Sequence, residues 1–300
     1  MAAAQTPAWR GELRYDEPMG SHNSWRSGGK ARCFYQPADV DDLCLFLHDL
    51  DPREPLLWLG LGSNLLVRDG GFPGTVISTF NAVSGLDWLN ETTLRAGAGV
   101  TCSKVARTAA KAGCVGAEFL SGIPGTMGGA LAMNAGAFGG ETWSLVAAVE
   151  TVNRAGQLQR HTPADYRIGY RSVEGPANEW FVATELQLEH GDTEAAQAGI
   201  RELLARRNES QPTQQYSCGS VFRNPPGDHA ARLIEAAGLK GLAIGGARVS
   251  EKHANFIVNT GSATATDLES LINRVQAMVE QQHGVRLEPE VRIVGERGGD

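Results

Sequence analysis

Residues 118–141 read EFLSGIPGTMGGALAMNAGAFGGE, and the reading of this stretch decides that of the whole chain. Glycines stand at 122, 125, 128, 129, 136, 139 and 140, with one proline at 124 and almost no bulky side chains. A helix interior is not built this way, because each glycine there costs about 1 kcal/mol relative to alanine. The offset it suggests is a ligand held against bare backbone, since glycine admits close approach and unusual φ values. Residues 121–126 (SGIPGT) read as a turn, with Thr126 placed to cap a helix starting near Met127. On that helix Gly128, Ala132 and Ala135 would share one face. Free N–H groups at its start, with the positive end of the dipole behind them, would suit a phosphate or pyrophosphate. A tight helix crossing with no ligand explains the same glycines.

Composition narrows the classes. The 300 residues are 42% hydrophobic and 20% charged, the balance of a globular chain, and the length predicts two or three domains. With 37 glycines and only 13 prolines, the glycine belongs to turns and ligand loops, not to a collagen-like or disordered chain. A net charge of −7 without any basic run argues against nucleic acid as a partner, while a local cationic pocket for a phosphorylated small molecule stays open. Cys33, Cys44, Cys102, Cys114 and Cys218 form no CxxC pair, and the histidines form no HxxxH or HExxH. Neither a metal site nor a disulfide framework is expected. No run has the apolar length of a signal peptide or membrane span, which predicts a cytoplasmic protein with reduced thiols and no membrane partner.

Outward from the glycine-rich stretch, the chain alternates strands and helices. Residues 22–29 (HNSWRSGG) form a polar loop ahead of a strand at 31–35. Asp39 is placed to cap a helix whose Val40, Leu43, Cys44 and Leu47 keep helical spacing. A buried strand at 56–59 feeds a second glycine turn, Gly60-Leu61-Gly62-Ser63-Asn64, and 65–67 and 76–78 continue extended. After a strand at 94–96 and a helix from Thr101, the segments 146–152, 158–160 and 181–188 predict an antiparallel sheet. A polar helix at 195–207 marks a domain boundary. Beyond it, 220–223 is extended, Asp228 caps a helix ending at Gly238, and 255–259 is a strand. Thr266 with Glu269 reads as the capping box of a long helix, with Leu268, Leu271, Ile272, Val275, Met278 and Val279 on its apolar face and Gly284 at its end. Residues 290–294 form the last strand.

The turn at 60–64 is not GxGxxG, and no P-loop lysine follows, so Rossmann and P-loop readings fail. Two loops rich in N–H donors fit the two ends of a dinucleotide better than a single phosphate, although two surface hairpins would look alike. Tyr170-Arg171-Ser172 lies between sheet segments, where an arginine is ordinarily a surface residue. Ser220, within SCGSVFRNP (217–225), has no histidine at close spacing and no GxSxG around it. It suits a proton donor better than a hydrolase nucleophile. LEPEVR (287–292) sets a carboxylate at the start of the last strand, and EKHAN (251–255) offers cationic and polar groups to a phosphate or forms a charged hairpin.

In order, the chain carries LGLGSNLLV (59–67), SGIPGTMGGALAMNAGAFGGE (121–141), YRIGYRS (166–172), QPTQQYSCGSVFRNP (211–225), EKHANFIVN (251–259) and LEPEVRIVG (287–295). Over residues 23–295 it closely resembles the UDP-N-acetylenolpyruvoylglucosamine reductases, also called UDP-N-acetylmuramate dehydrogenases, flavoenzymes of peptidoglycan precursor synthesis. The resemblance implies an α+β fold with two parts. An FAD-binding region of the vanillyl-alcohol oxidase and p-cresol methylhydroxylase type would span 22–194, in subdomains of about 22–80 and 81–194, and the last strand at 288–295 would return to it. A C-terminal α/β substrate-binding domain would span 195–287. The resemblance also implies non-covalent FAD, NADPH as hydride donor, a UDP-sugar enolpyruvyl substrate, and a cytoplasmic monomer or weak oligomer.

By motif match, Gly60, Leu61, Gly62, Ser63 and Asn64, with Ser121, Gly122, Ile123, Pro124, Gly125, Thr126 and Gly128, would hold the FAD pyrophosphate and its surroundings. Arg171, Ser220 and Glu290 match the family's catalytic positions. Arg171 would supply positive charge to the developing enolate, Ser220 a proton to the α-carbon, and Glu290 polarisation of the substrate or help with that proton. Glu290 is preferred to Glu288 because it directly precedes VRIVG. Tyr170, Asn224, Lys252 and His253 would contact the substrate. Two features depart from the pattern. The N-terminal polar loop reads NSWRSGG where NTFRIGG is commoner, and only 48 residues (172–219) separate Arg171 from Ser220. The short interval matches the subgroup without an inserted tyrosine loop that closes over substrate. The alternative function is an FAD-dependent oxidase of another alcohol or sugar. Such relatives often tether flavin through histidine or cysteine, and neither glycine loop has one. A nucleotide-sugar binding module without catalysis leaves Arg171, Ser220 and Glu290 without a reason.

Overall fold

Asp39 ends an extended segment, and its carboxylate accepts from the N–H of Asp42, which starts the helix Val40–Asp49. The same logic of sequence-encoded starts recurs through the computed structural model, which describes residues 9–299. By contacts the chain divides into two units. One takes the residues up to Tyr15 with Cys33–Gly60 and Gly74–Leu203; the other takes Asp16–Arg32, Leu61–Pro73 and everything from Leu204 onward. Segments 22–32 and 61–73, expected with the FAD-binding region, are grouped by contacts with the C-terminal residues. The seam at Leu203 falls inside the helix Thr193–Ser210.

In the first unit, a five-stranded antiparallel sheet runs in the order Leu158–His161, Val146–Asn153, Glu179–Gln187, Thr93–Gly97, Leu86–Trp88. The helix Cys102–Lys111 begins at Thr101, whose hydroxyl accepts from the N–H of Lys104, and buries Cys102, Val105, Ala106, Ala109 and Ala110. A second sheet, most of whose residues belong to this unit, orders Glu12–Pro18, Lys30–Gln36, Phe72–Ser78 and Leu56–Leu59, the last pair parallel with Leu56 opposite Thr75. Under it Tyr35 stacks on Phe46 at 3.7 Å, and Leu43, Leu47, Ile77, Val152 and Val182 complete a core. Asp42 is wholly buried there, accepting from Tyr35 Oη at 2.6 Å, from the N–H of Ala38 at 2.8 Å and from the N–H of Arg10.

In the second unit, four antiparallel strands run Tyr216–Ser217, Ile257–Asn259, Ala247–Val249, Ala243–Ile244. The helix Ala265–His283 packs its Leu268, Leu271, Ile272, Val275 and Val279 with Trp25, Phe222, Leu233 and Ile257. Its capping box is Thr264 with Asp267, two residues earlier than the expected Thr266 with Glu269. Tertiary contacts decide between the two matches. Asp69 accepts from the N–H groups of Ala265 and Thr266 and from the Thr266 hydroxyl, while Glu269 pairs with Arg68 at 2.8 Å. The helix expected to be capped by Asp228 spans Ala230–Ala236 with His229 at its N-cap. Asp228 pairs instead with Arg232, and Asn224 Oδ1 accepts from the N–H of Ala230 at 3.1 Å. The last strand is Arg292–Val294, parallel to Leu65–Val67, so Glu290 lies just ahead of it. Among the described residues no helix is long and apolar enough to cross a membrane.

Asp42 carries a test of the first core. Burial pulls its carboxyl pKa upward, but hydrogen bonds from Tyr35, Arg10, Ala38 and Gly11 outweigh it and hold the group below its ordinary value. Its stabilisation is therefore present above the unfolded-state pKa of about 4 and is lost as pH falls through the lowered folded value. Asp42→Asn is expected to lower the unfolding free energy by about 2 kcal/mol at pH 7, measured by urea titration. The gap between the two proteins should stay flat near neutrality and close below about pH 4. A gap unchanged down to pH 2 would contradict this.

Candidate active site

The strand Leu56–Leu59 ends at Gly60, in the first unit. A Cβ there would stand 2.2 Å from Thr126 Oγ1, so only glycine lets the two loops meet. The Thr126 hydroxyl is buried, has no hydrogen-bond partner among the described residues, and does not cap the helix that follows. That helix, Met127–Ala132, has six residues, and Ala135 lies beyond its end. The N–H groups of Met127 and Gly128 donate to the carbonyls of Val100 and Ala98 at 2.8 and 2.9 Å. The dipole-backed phosphate site expected at this helix is therefore corrected: two expected donors are spent on tertiary bonds, and a helix this short builds little macrodipole. A Cβ on Gly128 would press on that of Ala98 at 2.9 Å, so this glycine serves close packing.

Around it, Ser121 Oγ donates to the carbonyl of Glu118 at 2.6 Å, and the carbonyl of Gly125 accepts from Cys102. Gly122 and Ile123 are buried and Pro124 is exposed. The orphaned Thr126 hydroxyl, set against bare backbone, is a donor a phosphate oxygen can use, and on that observation these residues fit FAD. Among the described residues, no group of three His, Cys, Asp or Glu gathers as a metal ion would require.

In the second unit, Leu61 to Asn64 is fixed from both sides. The Gly62 carbonyl accepts from Ser24 at 3.2 Å, Asn64 Nδ2 donates to the carbonyl of Glu290 at 3.1 Å, and Ser63 is half-buried. The polar loop at 22–29 acts as scaffold here. Asn23 Nδ2 donates to the carbonyls of Met19 and Ser27, and the buried Trp25 indole donates to that of Ile257 at 2.8 Å.

Ser220 and Glu290 come together in this unit. Phe222 and Pro289 form an antiparallel bridge, Glu290 N–H donates to the Val221 carbonyl at 2.7 Å, and Arg223 N–H donates to Glu288 at 2.9 Å. Buried Asn255 grips the segment: its Oδ1 accepts from the N–H of Phe222 at 3.0 Å and its Nδ2 donates to the Phe222 carbonyl at 2.8 Å. Burial pushes the Cys218 thiol pKa well up, and the negative charge of Glu290 pushes it further.

Arg171 belongs to the first unit. It occupies the turn of a hairpin between Arg167–Gly169 and Ser172–Glu174, at φ +53°. Its guanidinium donates to the carbonyls of Asn134 at 3.3 Å and Gly136 at 2.9 Å, and it lies 5.0 Å from the ring of half-exposed Tyr170.

The other expected substrate contacts lie in the second unit. His253 Nδ1 is buried with no hydrogen-bond partner among the described residues, and burial, then the charge of Lys240, pushes its pKa below the ordinary value, which favours the neutral ring at pH 7. Lys252 donates to the carbonyl of Asn208 and lines a cleft of about 480 Å³ with Arg248, Gln211 and Gln215. Asn224, as noted, starts a helix. Sequence reasoning missed Asn134 and Asn255. Asn134 had a signal, as the one hydrogen-bonding side chain between Met127 and Gly140.

Residues 211–294 match the family described as the UDP-N-acetylenolpyruvoylglucosamine reductase C-terminal domain, and residues 31–162 match the FAD binding domain family. UDP-N-acetylenolpyruvoylglucosamine reductases of Alkalilimnicola ehrlichii and Methylococcus capsulatus are 59% and 60% identical over 296 residues. The alignments cover 99% and 98% of this chain, and 99% and 97% of those proteins. The crystal structure of the Thermus caldophilus UDP-N-acetylenolpyruvylglucosamine reductase is similar at a TM-score of 0.81 and 33% identity, covering 95% of this chain and 98% of that one. The α+β fold with an FAD-binding region and a C-terminal domain is thus the fold of those proteins, and the chain belongs to the UDP-N-acetylenolpyruvoylglucosamine reductase family.

Proposed function

We propose that Arg171, Ser220 and Glu290 carry out the reaction of this family, the NADPH-dependent reduction of UDP-N-acetylglucosamine enolpyruvate to UDP-N-acetylmuramate in peptidoglycan precursor synthesis. The observation that supports the proposal is the short antiparallel contact of residues 221–223 with 288–290, which brings the main chain next to Ser220 up to that of Glu290, while Asn64 Nδ2 donates to the Glu290 carbonyl. Bound FAD supplies the relay of a hydride from NADPH to the β-carbon of the enolpyruvyl ether. Arg171 holds the substrate carboxylate and stabilises the negative charge that develops as the β-carbon is reduced. Ser220 delivers a proton to the α-carbon, and Glu290 assists that transfer. Gly60 to Asn64 and Ser121 to Gly128 hold the cofactor, with the Thr126 hydroxyl donating to its pyrophosphate.

Tyr170, Asn224, Lys252 and His253 contact the substrate. The partnerless Nδ1 of neutral His253 supports its part, since a neutral ring can accept from a sugar or uracil donor as well as donate. A functional division near residue 195, cofactor before it and substrate after, is part of the same reading, and matches at 31–162 and 211–294 support it. So is a cytoplasmic monomer or weak oligomer without nucleic-acid or membrane partners. The oxidase alternative finds less support, because the full-length relatives are named as reductases.

Ser220→Ala should leave flavin reduction by NADPH intact and slow reoxidation by the enolpyruvyl substrate about 10²- to 10⁴-fold, followed anaerobically by flavin absorbance. Equal loss of both half-reactions would remove Ser220 from the proposed role. Gly60→Ala should raise the FAD dissociation constant about tenfold or more, read by flavin fluorescence on the apoprotein, because its Cβ would displace the Thr126 hydroxyl. An unchanged constant would mean that the Gly60–Thr126 contact does not serve the cofactor.

A further inference from the structure

Asn134 is 1% exposed, and its backbone sits at φ +45°, in the left-handed region that non-glycine residues seldom occupy. Its side chain spends its hydrogen-bonding capacity inside the protein. Oδ1 accepts from the N–H of Trp143 at 3.1 Å, and Nδ2 donates to Glu141 Oε2 at 2.9 Å and to the carbonyl of Gly169 at 3.1 Å. Its own carbonyl accepts from Arg171 Nη1 at 3.3 Å. One residue therefore holds both the strand end that enters the Arg171 turn and the guanidinium that leaves it. Gly136 completes the cradle. Its carbonyl accepts from Arg171 Nη2 at 2.9 Å, and a Cβ there would stand 3.1 Å from Nη1 and 2.5 Å from the carbonyl of Gly140.

The hairpin that carries Arg171 pairs only three residues a side, and Arg167, Ile168 and Gly169 are exposed. Two-stranded hairpins are marginal by themselves. Arg171 is itself in the left-handed region, a conformation that persists only where surrounding contacts impose it. From these contacts we infer that Asn134 is the positioning residue for Arg171: through its side chain it fixes the hairpin, and through its strained backbone it aims a carbonyl at the guanidinium. The inference rests on the catalytic reading of Arg171. A guanidinium displaced by about 1 Å loses on the order of 10²-fold in rate while still attracting its carboxylate.

Asn134→Gly tests this in the FAD-loaded enzyme, because glycine accepts the positive φ and removes only the side chain. Flavin reduction by NADPH should be unchanged, and reoxidation by the enolpyruvyl substrate should slow about 100-fold. Substrate affinity of the oxidised enzyme, measured by calorimetry, should change by less than about fivefold. In an Arg171→Ala background the same substitution should cost nothing more. If Asn134→Gly does not fold, Asn134→Asp serves. It keeps the acceptor for Trp143 but turns a carboxylate toward Glu141 and the Gly169 carbonyl, and the same selective loss is expected. Equal slowing of both half-reactions, or a loss that adds in full to that of Arg171→Ala, overturns the inference. Fast reoxidation in Arg171→Ala alone instead brings down the catalytic reading of Arg171, a distinguishable failure.

Discussion

The amide of Asn255 takes both the N–H and the carbonyl of Phe222, and the placement of Ser220 and Glu290 depends on that pair of hydrogen bonds. A buried amide left unsatisfied costs about 1–3 kcal/mol, so the segment is held in one register. From Phe222 the order passes to Pro289 through the bridge, to Glu290 through the Val221 carbonyl, and to Asn64 through the Glu290 carbonyl. The first two steps are main-chain pairing, and the last is the Asn64 side-chain amide donating to a main-chain carbonyl. The segments that carry the hydroxyl and the carboxylate are thereby tied to each other and to the cofactor-type loop.

Charge is used sparingly. The chain carries a net −7, yet its proposed ligands are anions. The groups offered to them are mostly neutral donors: the Thr126 hydroxyl, main-chain amides, and a His253 ring kept uncharged by burial. Neutral donors in a buried setting need no counter-charge when the ligand leaves, whereas a buried cation would. Arg171 and Lys252 are the cations among the proposed contacts, and the Arg171 guanidinium is held by two carbonyl oxygens and an aromatic face.

Periodicity and capping made much of the fold legible. The helices at 40–49 and 102–111 start at Asp39 and Thr101 as their sequences indicate, and the apolar stripe of the helix at 265–283 is the one read from spacing. What failed was local chemistry overruled from afar. Thr264 with Asp267 wins over Thr266 with Glu269 because Asp69 and Arg68, some 200 residues earlier in the chain, claim the latter pair. The helix at 127–132 is too short, and its first N–H groups too well used, for the anion site its glycines suggested. No local pattern tells whether a donor faces a ligand or a neighbouring strand. At the site, motif order pointed to Ser220 and Glu290, while the hydrogen bonds that Asn134 and Asn255 make to main chain join segments far apart in the chain and leave no local pattern.

The interval between Arg171 and Ser220 bears on how a substrate would be enclosed. Residues 172–174 and 179–187 are strand and 193–210 are helix, so the longest irregular run before the strand Tyr216–Ser217 is 211–215. Loops that fold over ligands run from about six to sixteen residues. A five-residue run anchored at both ends cannot swing a tyrosine across a substrate. That run instead forms a wall of the cleft lined by Arg248 and Lys252. Within this interval, then, enclosure of a ligand falls to elements already packed in place, in keeping with the carbonyls and buried amides that hold Arg171 and the segment beside Ser220.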